Sequence, residues 1–145
     1  MSIVKRKPPL WFWIVAVIFV IWNLIGVSNY LMAAMATPES LAAQGYTDEQ
    51  VEFLLDVPKL YLSVFAIAVW SGLVASFLLI FRRRWAVPVF LFSLVFVLLS
   101  FVFDFVGGTF TVLGNAYLAI MIVVTILAFI EVFFSRMAKN KGWLL

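Results

Sequence analysis

Two acidic side chains inside long apolar stretches are the first candidates for chemistry in this sequence. Asp104 lies near the end of the apolar run 86–106, and Glu131 lies near the end of the run 110–134. An ionisable group inside such a run is costly to bury, so each carries a hypothesis of proton transfer or ligand binding. Because neighbouring predicted spans run in opposite directions, the two lie at opposite membrane faces, and we do not expect them to form one carboxylate pair.

Polar residues at the predicted depth of Asp104 would complete a binding site. If these side chains face inward, they line a small polar pocket open to the outer side, in which Asp104 and Lys59 supply opposite charges. Asn23 lies deeper, in the middle of its run, where an amide must hydrogen-bond to another helix or to a trapped water. The alternative, which we favour, is a set of interfacial polar residues with tyrosines anchored at headgroup level. The candidate pocket residues are Asn23, Asn29, Tyr30, Lys59, Asp104, Asn115 and Tyr117.

Glu131 has a structural interpretation as well as a functional one. Arg82, Arg83 and Arg84 emerge at the same predicted level, and Arg136 follows Glu131 along its own helix. Charges near the end of a span usually neutralise one another. We therefore expect an ion pair between Glu131 and the arginine triplet rather than a proton-relay site.

The absence of two residue types excludes much further chemistry. The chain has no cysteine and no histidine. This removes thiolate and imidazole ligands, thiol–disulfide chemistry and the commonest general base at neutral pH. We predict no metal, no cofactor and no catalytic residue, and we rank a membrane lipid-modifying enzyme, using Asp104 with Tyr30 or Lys59, third among the functions.

Composition places these residues in a membrane. Of 145 residues, 66% are hydrophobic and 12% are charged, and a soluble domain of this length cannot hide so much apolar surface from water. The net charge of +3 does not indicate nucleic-acid binding, because the basic residues form short clusters that flank apolar runs.

The apolar runs predict a single membrane domain over 1–145, an all-α, antiparallel bundle of four transmembrane helices. The spans cover about 10–35, 59–81, 86–106 and 110–134, with an extracytoplasmic loop over 36–58. Every basic residue except Lys59 falls on one side, which places both termini in the cytoplasm. A cleaved signal peptide is the rival interpretation of the first run, which is about twice the usual length of a signal core.

The loop 36–58 holds five of the seven acidic residues and reads as ordered structure. Thr37 before Pro38 is a helix start, and Thr47 with Gln50 has the spacing of a capping box. The helix that begins near Asp48 is amphipathic, so we expect it to lie along the membrane surface. Its acidic stripe would collect cations or, as we favour, form a solvated face.

The second span carries small residues at intervals of four. Ala68, Gly72 and Ser76 lie on one face, which lets a neighbouring helix approach closely. We expect this stripe to be a packing face, either within the bundle or between protomers.

Three segments carry a family resemblance: residues 9–13, 22–26 and 84–90, which read PLWFW, WNLIG and RWAVPVF. In them the chain resembles a group of small, uncharacterised four-helix bacterial inner-membrane proteins that sometimes receive an automatic sugar transporter label. The resemblance covers most of the four-helix region and implies a multi-pass protein of the bacterial inner membrane. A looser likeness to DoxX-type proteins concerns architecture only.

The first hypothesis for function is an accessory or interaction protein, or a membrane protein that binds a small ligand from the outer side. Its expected partners are membrane lipids and either a second copy or another membrane protein, with no nucleic acid. The alternative is a small-solute transporter acting as a homo-oligomer, since four helices leave little room for a translocation path. In that alternative, Asn23 and Asp104 contact the solute.

Overall fold

The computed structural model describes residues 4–145, which form four long helices and three short ones. The long helices α1, α4, α5 and α7 are each long and apolar enough to cross a membrane, and they confirm the prediction of an all-helical chain with four long apolar helices. In chain order the helices are α1 (Leu10–Ala34), α2 (Pro38–Ala43), α3 (Asp48–Leu55), α4 (Lys59–Ile80), α5 (Ala86–Val106), α6 (Thr109–Leu113) and α7 (Asn115–Asn140).

The last long helix differs from the predicted span 110–134 at both of its ends. Gly114 has φ 89° and ψ −175°, a conformation that glycine adopts without steric cost, and it separates α6 from α7. At the other end α7 continues past Phe134 to Asn140, because Arg136 and Lys139 are good helix formers even though they are polar. The helix is therefore longer than the apolar run inside it.

Helix α4 lies at the centre of the packing and contacts both α1 and α5, while α5 also contacts α7. The small-residue stripe of α4, which is Ala68, Gly72 and Ser76, is buried in these contacts. The hydroxyl of Ser93 on α5 donates to the main-chain oxygen of Ala68 at 2.7 Å. The stripe therefore packs within the bundle.

Helices α1 and α7 meet through large aromatic side chains. The ring of Phe12 stacks on that of Phe134 with 5.9 Å between centroids, and Phe19 meets Phe134 edge-on at 5.4 Å. Phe12 is fully buried. Bulky rings thus fill the space between α1 and α7. In contrast, α4 packs closely against its neighbours through small residues.

The loop between α1 and α4 is ordered by the two predicted helix caps, which the structure confirms. The Thr37 hydroxyl oxygen accepts from the N–H of Ser40 at 3.1 Å, and the Thr47 oxygen accepts from the N–H of Gln50 at 3.2 Å. The Gln50 side chain also donates to the main-chain oxygen of Val112 at 3.1 Å, which fastens α3 to α6. We call this region the acidic end, because it exposes Glu39, Asp48, Glu49, Glu52 and Asp56.

At the opposite end, residues 142–145 turn back onto the chain and form what we call the clasp. The main-chain N–H of Arg6 donates to the oxygen of Gly142 at 2.9 Å, and the N–H of Arg84 donates to the main-chain oxygen of Leu145 at 3.1 Å. The clasp therefore joins the segment before α1, the turn between α4 and α5, and the end of α7. We call this region the basic end.

Side chains reinforce the clasp. Arg82, in the left-handed region at φ 58°, donates from Nε to the main-chain oxygen of Trp143 at 2.7 Å. The Trp143 ring lies 5.2 Å from the ring of Trp11 and 5.8 Å from that of Phe12, centroid to centroid. Trp143 is 7% exposed and Leu144 is fully buried. The clasp is thus part of the hydrophobic core.

Candidate functional site

The bundle interior contains one polar pair that links its first and last long helices. The side-chain amide of Asn23 donates to Oε2 of Glu131 at 2.9 Å and to the main-chain oxygen of Phe19 at 2.8 Å. Asn23 is 8% exposed and Glu131 is 4% exposed. Asn23 lies midway along α1, so the pair occupies the middle of the bundle and not one of its ends.

The structure corrects the prediction that Glu131 forms an ion pair with Arg82, Arg83 and Arg84. Its hydrogen-bond partner is Asn23, whereas the Arg82 side chain donates to the main-chain oxygens of Trp143 and Arg6. The cause is the length of α7, which extends nine residues past Glu131, or about 13 Å. The carboxyl group therefore lies deeper than the arginine level.

Close helix approach surrounds the polar pair. A Cβ atom added to Gly72 of α4 would overlap Oδ1 of Asn23 and would lie 3.1 Å from the Ser93 hydroxyl. Residues of α1, α4, α5 and α7 therefore meet at this depth. A hydrogen-bonded polar pair inside an apolar bundle fixes the rotation and register of its helices, since any slip separates donor from acceptor.

A second polar contact lies near the acidic end. The Tyr117 hydroxyl of α7 donates to Oδ2 of Asp104 at 3.0 Å, and both side chains are half-buried. Next to them, the rings of Tyr61 and Phe103 stack with centroids 4.6 Å apart. The bond between Tyr117 and Asp104 joins the end of α5 to the start of α7.

The predicted pocket around Asp104 does not assemble as one site. Of its proposed members, only Asp104 and Tyr117 bond to each other, and Asn23 belongs to the pair with Glu131. Tyr30 meets Phe65 at 6.0 Å between centroids. The remaining members are exposed, namely Asn29, Lys59 and Asn115.

Helix geometry explains why those polar residues fail to converge. Asn29 follows Asn23 by six residues and so projects about 240° around α1 from it. Asn115 and Tyr117 are two residues apart, which places them about 200° apart around α7. Polar residues on the same helix therefore need not share a face.

The contact that sequence reasoning missed is the bond between Asn23 and Glu131. Each residue was singled out from the sequence, but no local signal connects positions 108 residues apart. The informative signal was Gly72, because a small residue on α4 leaves room for the Asn23 amide. Within residues 4–145, no group of three or more acidic side chains is placed to hold a metal ion.

The chain matches no protein-family model, no curated protein and no solved structure. The arrangement of its own residues therefore carries the functional argument.

Proposed function

We propose that this chain is a multi-pass protein of the bacterial inner membrane that acts as an accessory or interaction protein. In this proposal it is an antiparallel four-helix bundle with both termini and the basic end in the cytoplasm. The distribution of basic residues supports this orientation, because Lys59 alone of the ten lies away from the basic end. The four apolar helices support the membrane location.

The observation that carries the proposal is the pairing of the interior polar groups with one another. Asn23 bonds to Glu131, and Tyr117 bonds to Asp104. Side chains that already satisfy each other hold helices together, whereas a binding site presents groups that converge on an open space. The interior polar groups thus favour a packing role. A partner would then bind at the surface of the bundle.

Two surfaces are available for a partner. The acidic end presents exposed carboxylates on two capped helices, which keeps their positions fixed. The outer face of α7 is apolar, with Ile126 52% exposed and Phe133 65% exposed. Membrane lipids, a second copy of the chain or another membrane protein are the partners that such an apolar face accepts.

The test is purification in native nanodiscs, followed by intact-mass measurement and photocrosslinking. We expect a particle of defined mass that contains a second protein chain, and a photoreactive side chain at Ile126 should crosslink to that chain. Ala128, which is 9% exposed on the same helix, provides the matched control and should give crosslinks within the chain only. A single chain with no intermolecular crosslink at either position would contradict the proposal.

A second candidate function, transport of a small solute by a homo-oligomer, is favoured by Glu131 alone. A carboxyl group in the middle of a membrane bundle is typical of ion-coupled transport pathways. Glu131→Gln retains an oxygen that accepts from the Asn23 amide, so we expect the bundle to remain folded. If the carboxyl group couples transport, this variant should lose uptake of a radiolabelled sugar into proteoliposomes.

The control for that experiment is Asp104→Asn, which removes the other intramembrane carboxyl and keeps an acceptor for Tyr117. Uptake that survives in this variant and disappears in Glu131→Gln would assign the coupling role to the interior pair. Wild-type proteoliposomes that take up no more sugar than empty liposomes do, at any imposed proton gradient, would argue against sugar transport.

A further inference from the structure

A shallow pocket of about 230 Å³ opens at the basic end of the bundle. It lies between the start of α5 and the last turns of α7, and its lining consists of Arg84, Trp85, Pro88 and Lys139. Two of these four residues are cations and the other two are apolar or amphipathic. None of them belongs to the polar pairs described above.

Arg84, which lines this pocket, has one buried side-chain donor without a hydrogen-bond partner in the described residues. Its main-chain N–H donates to Leu145, but the side-chain Nε is buried and has no hydrogen-bond partner in the part of the chain that the structure describes. A buried donor without an acceptor is costly, and such groups in native proteins usually meet an ion, a ligand or a water. The Nε atom of Arg84 therefore lacks an acceptor among the described residues.

The side chains that line the pocket carry positive charge, and no Asp or Glu side chain is among them. Five of the seven acidic residues lie at the acidic end. Glu131 is bonded to Asn23 and precedes Lys139 by eight residues, or about 12 Å along α7. The start of α5 adds the positive end of a helix dipole. A ligand that complements this pocket is an anion.

We propose that this pocket binds the phosphate group of an anionic membrane lipid, an inference that rests on the proposed membrane location. A guanidinium group matches phosphate oxygens with paired donors, and the Lys139 ammonium adds a second positive charge. Trp85 is 69% exposed, as expected of a ring at headgroup level, and Pro88 offers apolar surface to the glycerol region. Basic pockets between helices on the cytoplasmic side commonly hold such headgroups.

The test measures lipid retention by native mass spectrometry of the full chain released from nanodiscs. Nanodiscs of phosphatidylglycerol are compared with nanodiscs of phosphatidylcholine, which carries the same phosphate but no net charge. We expect a stoichiometric phosphatidylglycerol adduct on the wild-type protein. Retention should fall about five-fold in each of Arg84→Gln and Lys139→Gln, since one cation is removed in each.

The matched controls are Arg83→Gln and Arg136→Gln, which remove one positive charge each from exposed positions outside the pocket. Their retention should match that of the wild type. A loss as large in the controls as in the pocket variants would assign binding to diffuse surface charge and overturn the proposal. Equal retention of phosphatidylcholine and phosphatidylglycerol would overturn it as well.

The phosphate bound at this pocket could come from a lipid headgroup or from free phosphate. Adding inorganic phosphate to delipidated protein distinguishes these two ligands. A lipid adduct without a phosphate adduct supports the headgroup as ligand. A phosphate adduct that Arg84→Gln abolishes supports the same site with free phosphate as ligand, and the absence of both adducts overturns the proposal.

Two further measurements keep the result interpretable. Arg84→Lys preserves the charge and guards against a folding defect, and its retention should fall between the wild type and Arg84→Gln. The crosslink from Ile126 reports on the partner independently, so a failed lipid site and a failed accessory role give different results.

Discussion

Gly72→Ala is expected to destabilise the bundle by about 2 kcal/mol, in the range found for overpacked cores. The added methyl group would overlap the Asn23 side-chain oxygen and crowd the Ser93 hydroxyl. To make room, α4 must move away from α1 and α5, or Asn23 must release Glu131. Reversible unfolding in mixed micelles, followed by helical circular dichroism against denaturing detergent, measures the loss.

Gly26→Ala is the matched control for this prediction. Gly26 also lies within a long helix, but its added Cβ would lie 3.3 Å from the terminal Cγ1 of Val69, a side chain that can shift. Alanine also raises helix propensity by up to about 1 kcal/mol. We expect stability within about 1 kcal/mol of wild type, and equal losses in both variants would show that the polar pair does not define the tight contact.

Trp143→Ala is expected to cost about 3 kcal/mol, the low end for truncation of a buried aromatic residue. The change would leave a cavity beside Trp11 and Phe12 and would loosen the clasp that Arg82 holds through the Trp143 main-chain oxygen. The same micelle unfolding experiment measures it. Limited proteolysis gives a second readout, because a loosened clasp should release the main chain at the exposed Arg6 from its bond to Gly142 and speed its cleavage by trypsin.

The control is Trp70→Ala, which removes the same side chain from a position that is 45% exposed on α4. Its loss should stay below about 1 kcal/mol, because no enclosed cavity forms. If both tryptophan variants lost stability equally, the clasp would not be a core element. Stability equal to the wild type in Trp143→Ala would lead to the same conclusion.

The elements of the fold were accessible from sequence because their signals are local. The apolar runs predicted the four long helices, and the hydroxyl groups of Thr37 and Thr47 predicted the two caps between the first and second spans. The limits of α7 were less accessible. Hydropathy ends at Phe134, but helix formation depends on main-chain bonds and local propensity, which continue through Lys139 to Asn140.

The contacts of the site were less accessible still, because they depend on how each helix rotates against its neighbours. Sequence gives the angle between Asn23 and Asn29 on one helix, but it does not give the partner that each one faces. The error in the predicted depth of Glu131 followed directly from the end of α7, which lies six residues, or about 9 Å, beyond the predicted end of the span. Sequence predicted charged arginine partners for Glu131, whereas its partner in the structure is the neutral amide of Asn23. This difference changes the chemistry expected of the carboxyl group.

The clasp also imposes an order on assembly. Residues 142–145 bond to the segment before α1 and to the turn between α4 and α5, so this end of the molecule closes only after all four long helices have been synthesised. Until then the buried faces of Phe12 and Trp11 lack their last neighbour. Helix α1, the first to be synthesised, thus completes its packing only when residues 142–145 have been made.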